Sequence, residues 1–258
     1  MKPKALVLQA RGSNRDLDVM EALTLAGANP VGVPLNELRT RTALFSSFQL
    51  LVIPGGFSYA DALGAGKLLA IDLSSYFADE IASFVEAGKP VIGICNGFQA
   101  LIKAGVFSRK NGNGSFPSMT LTFNAQGHFE CRWVTIKPVS QRCIWTQDLI
   151  DEIACPVAHG EGNYQVSSEQ NPSDLEEQIA LTYTRSDGTP ANGEYPANPN
   201  GSLLDTAGIC NYQGNVLGLM PHPENHIYAW QHPRHTRGEV GKSGLKLFEN
   251  GVRYARKM

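Results

Sequence analysis

The stretch PVIGICNGFQALIKAG, residues 90–105, decides how the chain is read. Val91, Ile92 and Ile94 form an apolar run the length of a buried strand, and NGFQALIKAG reads as a helix. Cys95 stands at the junction, with Gly93 and Gly97 two residues to either side. Small residues there let neighbouring backbones approach a tight strand-to-helix turn, the geometry that presents a nucleophile. At the N-terminal end of a helix, unsatisfied N–H groups and the dipole favour a thiolate. Taken alone, the stretch is equally well read as a small core cysteine near a turn.

Working outward, short apolar runs recur with helix-like stretches between them: KALVLQA (4–10), VGVP (31–34), LLVIPGG (50–56) and VIGIC (91–95). That spacing predicts β-α-β units, with continuous hydrophobicity where parallel strands are covered on both faces. One crossover helix is expected over 13–27, capped by Ser13 or Asn14 and closed by Gly27, and another over 73–87 ending at Gly88. MTLTF (119–123) and CRWVTIKPV (131–139) flank a polar turn and predict an antiparallel hairpin, so the sheet is expected to be mixed. ACPVAH, IALTYT, AGICNY and NVLGLMPHP read as later strands, and KSGLKLFENGVRYARKM as a closing helix with Leu245, Leu247, Phe248 and Val252 inward. The expectation is one α/β domain over 1–258, a mixed, mostly parallel central sheet flanked by helices.

The 258 residues bury a substantial core without special staples. Lys plus Arg (22) nearly balance Asp plus Glu (24), which argues against a nucleic-acid footprint. The apolar run in MKPKALVLQARG is too brief for a signal sequence and no stretch reaches membrane-spanning length, so a soluble cytoplasmic protein is expected. Five cysteines without C-x-x-C spacing argue against a disulfide framework or zinc ribbon. Cys131, Cys143, Cys155 and Cys210 are read as inert packing residues.

A cysteine nucleophile in acyl chemistry needs a base that also protonates the leaving group. The best placed is in LGLMPHPENH, where a strand-like run delivers His222 and Glu224 two residues apart. On an extended segment both point to one side, so Glu224 accepts from one ring nitrogen while the other faces Cys95. On this reading activity falls as His222 becomes protonated. The tetrahedral oxyanion needs donors, and IPGGFSY (53–59) offers a strand end whose Gly55 and Gly56 present a backbone N–H, with a second from Asn96.

Together, Gly-x-Cys-x-Gly-x-Gln at 93–99, the PGG loop and PHPE resemble class I (triad) glutamine amidotransferases over nearly the whole chain. Within that family GGFSYADALGAGKLLA (55–70), CNGFQ (95–99), PVAHGEGNY (156–164), NPNGS (198–202) and GNVLGLMPHPE (214–224) look like glutaminase subunits of phosphoribosylformylglycinamidine synthase. The resemblance implies a flavodoxin-like fold and hydrolysis of L-glutamine to glutamate and ammonia. In that scheme Cys95 attacks the amide, His222 transfers protons, Glu224 orients His222, and Gly56 and Asn96 form the oxyanion hole. Gly55, Phe57, Gln99, His159 and Gly160 would contact substrate. The ammonia would pass to a synthetase subunit, with a small third subunit as a further partner. No cofactor or metal is expected in this chain, and ATP and Mg belong to the synthetase. No nucleic acid or membrane is expected as partner.

The glutaminase component of another amidotransferase is the nearest alternative, a cysteine hydrolase or peptidase with the same elbow is disfavoured by the glutamine-specific motifs, and two readings of a different class compete. His222, Glu224, His226, His232 and His235 offer ligand types that suit zinc or iron, but Pro223 and Pro233 interrupt them and no H-E-x-x-H spacing is present. A noncatalytic docking module on the same scaffold is the other, since a fold alone never guarantees chemistry. GGFSYADALGAGKLL is not a phosphate loop, because Asp61 and Leu68 stand where G-x-x-x-x-G-K-[ST] requires Gly and Ser or Thr. The histidine-rich 225–241 segment is expected to take part in partner docking.

Overall fold

The computed structural model describes residues 1–108, 119–167, 176–239 and 241–258. The first half alternates: β1 (Lys4–Gln9), α1 (Asp16–Leu25), β2 (Asn29–Pro34), α2 (Leu35–Thr40), β3 (Leu50–Ile53), α3 (Lys67–Tyr76), α4 (Ala78–Glu86), β4 (Val91–Ile94) and α5 (Asn96–Lys103). Strands then dominate: β5 (Met119–Thr122), β6 (Glu130–Pro138), β7 (Ile153–His159), β8 (Asn163–Val166), β9 (Ile179–Thr184), β10 (Thr206–Cys210) and β11 (Val216–Leu219), before α6 (Leu245–Ala255). One sheet runs β2-β1-β3-β4-β11-β10-β9-β6-β7, parallel from β2 through β11 and antiparallel from there on. The sheet is thus mixed, with its parallel strands grouped around β3 and β4. Both of these are buried at every position, because helices cover each face. α1 packs on α6, while α3 packs on α5 and α4.

Three local expectations fail, each because a tertiary contact overrides a local signal. α1 begins at Asp16 with Arg15 at its cap and no capping side chain; Ser13 is drawn instead into a bridge with Gly56. The 73–87 helix is two helices, broken at Phe77 (φ −133°, ψ 13°), whose fully buried ring packs 5.8 Å from that of Phe45. The 119–139 hairpin does not form: β5 pairs with β8 in a separate ribbon, and β6 takes β7 and β9 as neighbours. In α6, Leu247, Phe248 and Val252 are buried and Leu245 half-buried, as the pattern predicts.

Candidate active site

Register places the site. Leu219 of β11 is level with Ile94 of β4, and Gly93 is level with Ile53 of β3. The residues that follow each strand therefore emerge at one carboxyl edge of the parallel sheet, where open α/β sheets hold their ligands. They are Gly55 and Gly56, Cys95, and His222.

Cys95 occupies φ 49°, ψ −106°, a backbone region costly for any residue with a side chain. It is held there by its N–H donating to Leu219 O at 2.8 Å and its carbonyl accepting from Gln99 N at 2.9 Å. The elbow closes only because the flanking positions lack side chains. A methyl group at Gly97 would lie 1.9 Å from Ile53 O, and one at Gly93 would lie 2.9 Å from the Gly97 backbone. The thiol itself sits 3.7 Å from Ala158 O of β7, so the far edge of the sheet returns to the site.

His222 and Glu224 are not on an extended segment as expected. His222 precedes a single 3-10 turn, Pro223–Asn225, in which Pro223 supplies the fixed φ of a first helical residue. The His222 N–H donates to Pro156 O at 2.8 Å, and the turn brings Glu224 Oε1 to 2.7 Å from His222 Nδ1. Both side chains are buried, and Glu224 Oε2 has no hydrogen-bond partner among the described residues. The carboxylate is therefore answered chiefly by the imidazole, which also lies within hydrogen-bonding reach of Cys95. Burial pushes the His222 imidazole down, but the Glu224 carboxylate and then Cys95 outweigh it and raise it to about 10. The site thus stabilises the imidazolium through neutral pH. This direction runs against the expectation that activity falls as His222 becomes protonated, and the pH profile of turnover decides between them.

Gly55 lies against both partners: a methyl there would sit 2.7 Å from His222 Cε1 and 3.4 Å from Cys95 Cβ. Gly56 adopts φ 129°, and its N–H makes no hydrogen bond among the described residues, whereas the Phe57 and Tyr59 N–H groups are committed to Gly12 O and Arg11 O. The Asn96 N–H is the first of α5, where a helix has no internal acceptor to offer. Its side chain braces the loop, with Oδ1 accepting from Ser58 Oγ at 2.5 Å and Nδ2 donating to Asp61 Oδ1 at 3.1 Å.

The other singled-out residues divide. Phe57 is exposed, its ring stacked 6.3 Å from that of exposed Phe129 at the rim. Gln99 is buried with its amide used internally, accepting from Asn96 Nδ2 at 3.1 Å and donating to Glu161 O at 2.5 Å. Gly160 follows β7, and its carbonyl accepts from Asn124 N. His159 is buried and donates from Nδ1 to Asn124 Oδ1 at 3.1 Å, an oxygen that also accepts from Gly162 N. Its Nε2 has no partner among the described residues; burial and then the nearby His222 hold it down to about 3, so it is neutral. Asn124 carries no sequence signal that sets it apart, and Pro156, the first residue of the PVAHGEGNY stretch, has no role assigned to it by the sequence.

His226 and His232 stack edge-on to Trp133, at 5.4 and 5.0 Å, with His226 Nδ1 bonded to Ala154 O. Among the described residues no three His, Cys, Asp or Glu side chains come together as a metal site. The 225–241 segment, whose Val240 lies outside the described residues, is tied to α1 by Asn225 to Asp18 and Tyr228 to Glu21. Cys143, Cys155 and Cys210 are buried, but Cys131 is exposed on β6, where alternation turns it outward.

Comparison with known proteins identifies the family. The family model of the CobB/CobQ-like glutamine amidotransferase domain matches residues 2–255. A phosphoribosylformylglycinamidine synthase subunit PurQ from Treponema denticola is 53% identical, covering 98% of this chain and 99% of that protein. The subunit of the same name from Dehalococcoides mccartyi is 41% identical, covering 100% and 99%. Among solved structures, PurLQS from Thermotoga maritima aligns with a TM-score of 0.75 at 32% identity, covering 98% of this chain and 99% of that one. A glutamine amidotransferase from Thermotoga maritima, at 14% identity and a TM-score of 0.55 over the full length of both chains, shares the fold. The chain belongs to the CobB/CobQ-like glutamine amidotransferase family, and within it to the PurQ subunits of phosphoribosylformylglycinamidine synthase.

Proposed function

We propose that this chain, acting as one glutaminase domain over 1–258, hydrolyses L-glutamine to glutamate and ammonia for a synthetase subunit that converts formylglycinamide ribonucleotide to formylglycinamidine ribonucleotide. The observation that carries the chemistry is the His222 imidazole, bonded to Glu224 at 2.7 Å and facing a cysteine on a strained elbow. Cys95 Sγ attacks the side-chain amide carbon, and the oxygen that gains the electron pair is met by the Gly56 and Asn96 N–H groups. The imidazolium gives its proton to the departing nitrogen, which leaves as ammonia, and a thioester remains. His222, now neutral, takes a proton from water as it adds to the thioester. Collapse expels the Cys95 thiolate beside the imidazolium, releases glutamate and restores the starting pair, with Glu224 keeping the ring oriented throughout. Gly55, Phe57, Gln99, His159 and Gly160 line or brace the glutamine site.

Ammonia is a nucleophile only when unprotonated, so a closed path to the partner prevents its loss to water. The partners are a PurL-like synthetase subunit, which holds ATP and Mg, and a small PurS-like subunit; this chain takes no cofactor or metal of its own. No helix among the described residues is long and apolar enough to cross a membrane; a cytoplasmic location is part of the proposal. The test is glutamate release by wild type and Cys95→Ala, with and without the synthetase subunit and formylglycinamide ribonucleotide. Turnover is expected to be low for the chain alone, to rise with the partner, and to vanish in the variant. Turnover that ignores the substitution overturns the reading.

A further inference from the structure

The loop that follows Gly56 is backbone-strained along its length. Tyr59, Ala60, Asp61 and Leu63 all have φ between 52° and 64°, the left-handed region that residues with side chains avoid. Such a run persists only where the surroundings over-determine it. One anchor is Asn96, whose side chain holds Ser58 and Asp61. The other is at Ala65, which is gripped from both sides of its backbone. Glu161 Oε1 accepts from the Ala65 N–H at 3.1 Å, and Lys103 Nζ donates to the Ala65 carbonyl. Lys103 and Glu161 pair with each other at 3.4 Å, and both side chains are only 17% exposed. Glu161 is itself fixed, because its carbonyl accepts from Gln99 Nε2.

We infer that the Lys103–Glu161 pair is a positioning clamp for glutaminase chemistry, holding the strained 57–66 loop so that the Gly56 N–H stays aimed at the oxyanion. Neither side chain is among those the proposed function assigns to the glutamine site. Lys103 ends α5, whose first residue is Asn96, and Glu161 lies in the turn after His159, so the pair ties the oxyanion loop to both other walls of the site. Burial holds the proton affinity of Lys103 below its usual value, and the Glu161 carboxylate opposes that shift without cancelling it. The inference rests on the glutaminase reading above.

The test uses the complex with the synthetase subunit and the variants Lys103→Met, Glu161→Gln, the double variant and Lys103→Arg. Each Met or Gln single variant is expected to lower kcat for glutamine 10- to 100-fold with KM changed less than threefold, since a transition-state contact is lost rather than a ground-state one. Inactivation by a chloroketone analogue of glutamine, which passes through an oxyanion, should slow in parallel. Alkylation of Cys95 by iodoacetamide, which forms no oxyanion, should be unchanged. The double variant should be no worse than either single one, and Lys103→Arg should recover at least a third of kcat. A kcat within threefold of wild type in either single variant overturns the clamp, as does a loss of kcat matched by slower iodoacetamide labelling and a lower Tm, the pattern of general loosening. Wild-type turnover that survives Cys95→Ala would instead overturn the glutaminase reading, and the clamp with it.

Discussion

Replacing Glu224 by Gln keeps the side chain's size and removes its charge from a buried contact of 2.7 Å with His222. In the native site the imidazole is raised from 6.5 to about 10 against burial. Since each tenfold change in proton affinity is worth 1.36 kcal/mol, this favours the imidazolium by on the order of 5 kcal/mol, and Glu224 outranks Cys95 as its source. Allowing Glu224 about half, in the range of a hydrogen bond to a charged group, gives ~2–3 kcal/mol of lost transition-state stabilisation. The expected fall in kcat/KM is about 30- to 150-fold. The pH profile gives the sign. The imidazolium is lost on the basic side, so the native alkaline limb lies high, and in Glu224→Gln it moves to lower pH because burial is no longer opposed by the carboxylate. Stability follows the same linkage. A folded-state value above the unfolded one contributes fully below pH 6.5 and is lost as pH rises through about 10, so the fall in Tm over that window should flatten in the variant. Glutamate release and thermal melting from pH 6 to 10, with the synthetase subunit present for the kinetics, check both. A variant with kcat/KM within threefold of wild type and an unmoved alkaline limb would refute the electrostatic account.

Two glycine substitutions separate chemistry from folding. Gly55→Ala puts a methyl 2.7 Å from His222 Cε1, a ring that can give way only by leaving Cys95; kcat should fall about a hundredfold with Tm lowered by less than a few degrees, read from kinetics and melting on one preparation. Gly97→Ala sets a methyl 1.9 Å from Ile53 O in the middle of the sheet edge, where backbone cannot yield; denaturant unfolding should show a loss of at least about 3 kcal/mol, and near-native stability would mean the elbow is looser than its contacts require.

The elbow was readable because its rule is steric and local: Gly93 and Gly97 are required by backbone atoms one turn or one strand away, and a sequence displays that need directly. The parallel half of the sheet was readable for a similar reason, since β3 and β4 are apolar at every position. What failed depends on partners distant in sequence. The β5 strand pairs with β8, about forty residues on, so the polar turn after MTLTF advertised a hairpin that register elsewhere forbids. Phe77 interrupts a helical pattern because its ring belongs in the core beside Phe45, a demand that no local propensity records. Asn124 organises His159 and Gly162 from a loop with no motif, and Glu161 and Lys103 meet across 58 residues.

Charge is where sequence and structure part furthest. PHPE identifies an acid near a base, and the ordinary reading of such a pair is a neutral imidazole that activity loses on protonation. The fold changes the balance by what it withholds: it buries Glu224, leaves Oε2 without a partner among the described residues, and directs Oε1 at one nitrogen. A carboxylate with full hydrogen bonding spreads its field over many donors, whereas this one imposes it on His222. The neighbouring His159 is shifted the opposite way, lowered by burial and then by the nearby His222, with no carboxylate to oppose them: its Nδ1 meets the uncharged Asn124 amide and its Nε2 has no partner among the described residues. Two buried histidines at one edge of one sheet are thus shifted in opposite directions, His222 upward by the Glu224 carboxylate and then Cys95 against burial, His159 downward by burial and then His222. That divergence is what the proposed function draws on when it gives proton transfer to His222 rather than to His159.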